Sequence, residues 1–260
     1  MNLPQLTIQG KGEPFFWLHG MLNSVEADSL YSMINLNELS KEVSVIRYNY
    51  CDKSAVGNYT WPVLTDELFR VADALNFNRV VLGGMSMGSG TVVHAAVRFP
   101  ERVKALILVS PPPAWEMREM VKKVYKKIAS KTNPNNIPEI LKRLILQSED
   151  LPGFFEQNYP GTRQRLLESR LSFDPQYYSQ IYLDGAASDF PSREQIAEID
   201  VPTLIVTLPN DENHPLKMAQ ELIGLIKGSE LLVISDYDDY LNLQNKAIDF
   251  LNKVSRDNKS

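Results

Sequence analysis

The chain has 260 residues, with 27 Lys and Arg against 32 Asp and Glu, and a formal charge of −5. That charge is too mild, and basic residues alternate too little with aromatics, to make nucleic acid an expected partner. The opening "MNLPQLTIQG" lacks the charged and long apolar regions of a secretory signal, no apolar run nears the roughly 20 residues of a membrane span, and Cys51 stands alone, so no internal disulfide, no membrane association and a cytoplasmic location are expected.

Short apolar runs alternate with helical patterns, which predicts an α/β fold, a mostly parallel central sheet flanked by helices. In chain order the candidate strands are "LTI" near Leu6, "FFWL" at Phe15, "VSVIR" at Val43, "RVVLGG" at Arg79, "VKALILVS" at Val103, "PTLIVTL" at Pro202 and "ELLVI" at Glu230. Leu64, Leu68, Val71 and Leu75 form a helical stripe behind Pro62, a residue suited to a first turn. Leu216, Ala219, Leu222, Ile223 and Ile226 repeat the stripe and Gly228 stops it, while Leu243, Ala247, Phe250 and Leu251 mark a last helix. From about Pro111 to Asp200 no strand is expected; helical patterns there are broken by "NPNNIP", "LPG", "NYPG" and "FDP". The expected organisation is therefore a core of residues 1–110 and 201–260 with a helical cap, residues 111–200, inserted over the sheet. The lysines of "VKKVYKKIASK" read as a solvated helix face.

Gly84-Met85-Ser86-Met87-Gly88 fits G-x-S-x-G, directly after a strand and before the helical "TVVHAAVRF". Such a turn strains the serine backbone and exposes its Oγ, and the flanking glycines let strand and helix pass closely. With "FFWLHGMLNS" upstream, nearly the whole chain resembles the α/β-hydrolase superfamily. That resemblance implies an oxyanion hole formed by the backbone N–H groups of Met21 and Met87, with His19 shaping the turn. Many family members carry Asp-x-Arg-Gly-His-Gly-x-Ser after the third strand, where this chain has "NYCDKSAVG". The resemblance also implies a catalytic acid after "PTLIVTL", and Asp211 with Pro215 matches the spacing. The acid holds a histidine in one tautomer and stabilises its imidazolium.

The family then expects Gly-His between the last strand and the last helix. Here the aligned pair is Asp238-Asp239, so Asp239 is expected where the base would stand. A carboxylate has no N–H to give Asp211 and would meet it as a like charge, a poor relay for a serine proton. Only three histidines exist. His19 belongs to the oxyanion turn, His94 lies about two turns along the helix from Ser86, and His214, three residues past Asp211, is the candidate substitute base. Two functions are expected. One is a serine hydrolase of a small ester, thioester or amide with an apolar part, with an impaired or atypical relay. The other is an inactive relative that binds or senses a small molecule. No cofactor and no metal site are expected, since no ligand cluster is present in the sequence; the oligomeric state is left open.

Overall fold

A computed structural model of the protein describes residues 3–30, 33–50, 57–133, 135–137, 139, 140, 142, 153–171 and 174–257. Cys51 and most of the divergent loop at Asn49–Val56 lie outside the described residues.

Seven strands form one sheet: β1 (Leu6–Gln9), β2 (Pro14–Leu18), β3 (Ser44–Tyr48), β4 (Val80–Met85), β5 (Val103–Val109), β6 (Thr203–Thr207) and β7 (Glu230–Val233). Their spatial order is β1-β3-β2-β4-β5-β6-β7. Only β1 runs antiparallel, with Leu6 opposite Tyr48 and Gln9 opposite Val45. The inner strands are nearly continuous apolar runs because helices cover both faces. In β5 every residue but Lys104 is buried, and Lys104 reaches Glu13 at 2.5 Å. All seven candidate strands formed within a few residues of their expected places.

The helices are α1 (Val25–Leu30), α2 (Leu36–Leu39), α3 (Trp61–Ala74), α4 (Met87–Arg98), α5 (Trp115–Lys131), α6 (Gly153–Asn158), α7 (Thr162–Leu171), α8 (Tyr178–Ala187), α9 (Arg193–Ala197), α10 (Leu216–Leu225) and α11 (Tyr237–Asp257). In α3 the buried stripe is Leu64, Leu68, Val71 and Ala72, and Pro62 sits in the first turn. Between β5 and β6 every regular element among the described residues is helical. None of the described helices is long and apolar enough to cross a membrane.

The last helix differs from expectation in a way that matters for the site. Its regular part begins at Tyr237, so "YDDY" is the first turn and not a loop. Asp236 accepts the Asp239 N–H at 2.9 Å, and the Asp239 carboxylate accepts the Ser235 N–H, also at 2.9 Å. This reciprocal cap satisfies donors that the helix start leaves open and places negative charge at its positive end.

The segment 153–188 is tied to the core by directed contacts. The buried Asp184 carboxylate accepts the Gly57 N–H at 2.9 Å and the Tyr59 N–H at 3.0 Å. At the other end of this helical layer, Phe155 packs edge-on against Tyr240, with ring centroids 4.9 Å apart. The Tyr159 and Tyr237 hydroxyls lie 3.2 Å from each other.

Candidate active site

Ser86 occupies the one-residue corner between β4 and α4. Its backbone has φ 54° and ψ −114°, a left-handed conformation that costs an L-residue about 1–3 kcal/mol. The Ser86 N–H donates to the Val109 carbonyl at 2.9 Å, which pins the corner to the neighbouring strand. The glycines are needed for closeness: a Cβ on Gly88 would stand 2.0 Å from the Leu18 carbonyl oxygen, and one on Gly84 would stand 2.4 Å from the Gly88 carbonyl carbon. Both obstacles are backbone and cannot swing aside. A Cβ on Gly20 would stand 3.6 Å from the Ser86 Cβ, so the His19-Gly20-Met21 turn passes directly beside the serine. Met87 opens α4 on the other side.

The imidazole of His214 stands against the serine. Its Nε2 lies 2.8 Å from Ser86 Oγ, and its Nδ1 lies 2.7 Å from Asp211 Oδ2. A carboxylate only accepts, so Nδ1 carries the proton and donates to Asp211, which leaves Nε2 to accept from the serine hydroxyl. Asp211 and His214 share one short loop after β6. Asp211 Oδ1 accepts the backbone N–H groups of Asn213 at 2.9 Å and His214 at 3.0 Å, so one carboxylate both shapes the turn and orients the ring within it. Burial presses the Asp211 carboxyl upward. The hydrogen bond and charge of the His214 ring, with the two backbone donors, outweigh it and hold the carboxyl below its ordinary range.

The expectation for Asp239 is therefore corrected: its carboxylate is turned to the Ser235 N–H in the helix cap, and the place facing Ser86 and Asp211 belongs to His214. The physical cause is that Asp236 and Asp239 make a helix start, which draws the residue aligned with the family histidine into a first turn. The signal for His214 lay in "DENH": an Asp whose side chain caps its own turn brings the residue three positions on back over the carboxylate. The other histidines lie elsewhere. His19 donates from Nδ1 to the Gly20 carbonyl at 2.8 Å, within the turn it was expected to shape. His94 donates from Nε2 to the Asp189 carbonyl at 2.9 Å, and burial lowers its pKa to about 4.

Behind the turn lies another buried carboxyl. Asp28 accepts the Trp17 indole N–H at 2.7 Å and the Asn23 amide at 2.6 Å, bracketing the turn on both sides. Burial raises its pKa to about 7, against the Trp17 hydrogen bond and the fields of Arg47 and Arg170. The folded protein thus keeps a proton there that the unfolded chain releases near its ordinary value of 3.8. Stability is expected to fall as the pH rises from that value towards 7, because the unfolded state alone gains from ionisation in that window. Thermal unfolding across the range should show that decline, and Asp28→Asn should flatten it. The Asn23 side chain can turn its amide oxygen, buried and without a partner, to the new donor.

The family model described as alpha/beta hydrolase fold matches residues 13–246. A 2-hydroxymuconate semialdehyde hydrolase from Pseudomonas sp. (strain CF600) is 25% identical over 92% of this chain and 84% of its own. An AB hydrolase superfamily protein from Bacillus subtilis (strain 168) is 29% identical over 86% of this chain and 83% of its own. Among solved structures, the enol-lactonase from Burkholderia xenovorans LB400 superposes with a TM-score of 0.77 at 19% identity, covering 95% of this chain and 96% of that one. A thermophilic esterase from Thermogutta terrifontis gives 0.76 at 21% identity, covering 96% and 93%. At these identities the superpositions speak for the fold.

Proposed function

The chain belongs to the α/β-hydrolase family, whose relatives here are hydrolases, and we propose that it is a serine hydrolase in which Ser86 is the nucleophile, His214 the base and Asp211 the acid. The observation that carries the reading is the unbroken path from Ser86 Oγ to His214 Nε2 at 2.8 Å and from His214 Nδ1 to Asp211 Oδ2 at 2.7 Å. The chain order Ser, Asp, His of the fold is kept, although acid and base share one loop.

Ser86 Oγ attacks a carbonyl carbon as its proton passes to His214 Nε2, and the carbonyl oxygen takes up the negative charge. The N–H groups of Met21 and Met87, on the two chain segments that flank Ser86, are the donors proposed for that oxyanion. Collapse breaks the bond to the leaving group, which departs with the proton from His214. The acyl-serine ester is then attacked by water, whose proton passes to His214 and on to Ser86 as the acid product leaves. Asp211 keeps Nδ1 protonated throughout and offsets the imidazolium charge.

The substrate class proposed is a small ester, thioester or amide with an apolar part. The helices over the sheet, rich in Tyr, Phe and Leu, support the apolar part, and the names of two similar proteins, a 2-hydroxymuconate semialdehyde hydrolase and an enol-lactonase, support a small-molecule substrate. Against the alternative, an inactive relative that binds or senses a small molecule, speaks the imidazole of His214 at 2.8 Å from Ser86 Oγ. A fluorophosphonate probe is expected to label the wild type rapidly and Ser86→Ala not at all, with p-nitrophenyl butyrate turned over only by the wild type. A wild-type protein that neither labels nor turns over the ester would remove this reading.

A further inference from the structure

Arg118, on α5, is 3% exposed, yet it spends its hydrogen bonds on backbone carbonyls and not on a carboxylate. Its Nε donates to Ser188 O at 3.0 Å and its Nη2 to Gly185 O, both at the end of α8. Burying a guanidinium carries a desolvation cost that its hydrogen bonds and ring contacts must offset. Among the described residues no carboxylate bonds it directly, although the field of Asp189 favours the cation. Its Cζ lies 4.7 Å from the Trp61 ring centroid and 5.8 Å from that of Tyr125.

Trp61 carries the link towards the serine. Its indole N–H donates to the Met87 carbonyl at 3.0 Å, where Thr91 Oγ1 also donates at 3.0 Å. Its backbone N–H donates to Ser188 Oγ at 3.2 Å, so the Trp61 main chain and the Arg118 guanidinium grip the same residue. The indole is held flush against α4: a Cβ on Gly90 would stand 2.4 Å from the ring. A second thread runs from the same helix end to the other oxyanion donor, since a Cβ on Gly185 would stand 3.4 Å from Met21 Sδ.

We propose that Arg118 and Trp61 are positioning residues for the oxyanion hole: Arg118 seats the indole between α4 and the end of α8, and the indole N–H fixes the Met87 residue whose own N–H faces the reacting carbonyl. A cation stacked on the indole withdraws electron density from it and strengthens its N–H as a donor. The arrangement makes the aim of Met87 depend on whether the helical layer is seated, because Ser188 and Gly185 belong to that layer. This rests on the serine-hydrolase reading above.

The test uses the full chain with Trp61→Phe, which keeps a ring beneath the guanidinium and removes only the N–H, and with Arg118→Met and Arg118→Lys. Active sites are counted by fluorophosphonate labelling, and p-nitrophenyl butyrate kinetics, phenylboronic acid affinity and Tm are measured on each. A positioning role lowers kcat per labelled site by about 10-fold in Trp61→Phe and Arg118→Met, leaves KM within about twofold, and weakens the anionic boronate adduct in step with kcat. Arg118→Lys, which retains the charge, recovers part of the loss. A merely structural role lowers Tm while kcat per labelled site and boronate affinity stay within about twofold of wild type; that result overturns the proposal and leaves the nucleophile assignment standing. Should Trp61→Phe not fold, the two Arg118 variants decide by the same criterion. Absence of labelling and turnover in the wild type would instead sink the hydrolase reading, and this inference with it.

Discussion

His214→Ala is expected to lower kcat for ester hydrolysis by a factor on the order of 10⁶, as loss of the base in a serine triad does. The loss is this large because nothing else described at Ser86 Oγ accepts its proton: the 2.8 Å contact to Nε2 is its hydrogen bond to a base. A residue of rate, roughly 10³–10⁴ above water, should persist from binding and the oxyanion donors. Asp239→Asn is the paired measurement. Its carboxylate caps a helix, so the substitution should trim stability by about 1 kcal/mol or less and leave kcat within about threefold. Steady-state kinetics on both variants separate His214 from Asp239 as the base. If Asp239→Asn were the crippled variant and His214→Ala the healthy one, the assignment of the base would be wrong.

Asp211→Asn should cost about 10⁴ in kcat while the loop keeps its shape. Asp211 presents one oxygen to the backbone N–H groups of Asn213 and His214 and the other to His214 Nδ1. An asparagine has a single oxygen. If that oxygen stays with the two backbone donors, the amide N–H faces Nδ1, which must then accept. The ring proton moves to Nε2, which points at Ser86 and can no longer take a proton from it. If the amide turns round, its N–H groups meet two backbone donors and the turn loses its cap. Either way the relay fails, and the first way preserves the fold. Kinetics together with an NMR reading of the His214 tautomer would check the mechanism, and full activity in Asp211→Asn would refute it.

Most of the architecture was legible in the sequence because it rests on periodicity and backbone chemistry. The apolar runs at Phe15, Val80 and Val103 read as buried strands because helical patterns alternate with them, and the glycines on both sides of Ser86 read as a close turn because they stand between such a strand and a helix. Alignment to a family pattern was a weaker guide in the loops. It places Asp239 where the missing base would stand, whereas Asp236 and Asp239 obey a local rule, the capping of a helix start, which outranks a remote resemblance. His214 is a side chain whose role depends on a turn made by its neighbour's carboxylate. Its reach across 128 positions to Ser86 is a tertiary fact that no local pattern encodes. The Arg118–Trp61 stack was equally hidden, since "MREM" reads as one more polar helix face until the burial of the arginine is seen.

The proposed acid and base stand three positions apart in one loop, with Asp211 held to the His214 ring at 2.7 Å. In a relay divided between two loops, any slide of one loop against the other stretches the bond from carboxylate to ring. Here such a slide cannot, because the ring and its orienting oxygen travel together. In the proposed relay only one gap, from imidazole to hydroxyl, stays sensitive to movement, and no residue beyond β7 is assigned a part in it. Rearrangements near the carboxyl end should therefore be tolerated by turnover in this protein as long as the β6 loop keeps its seat.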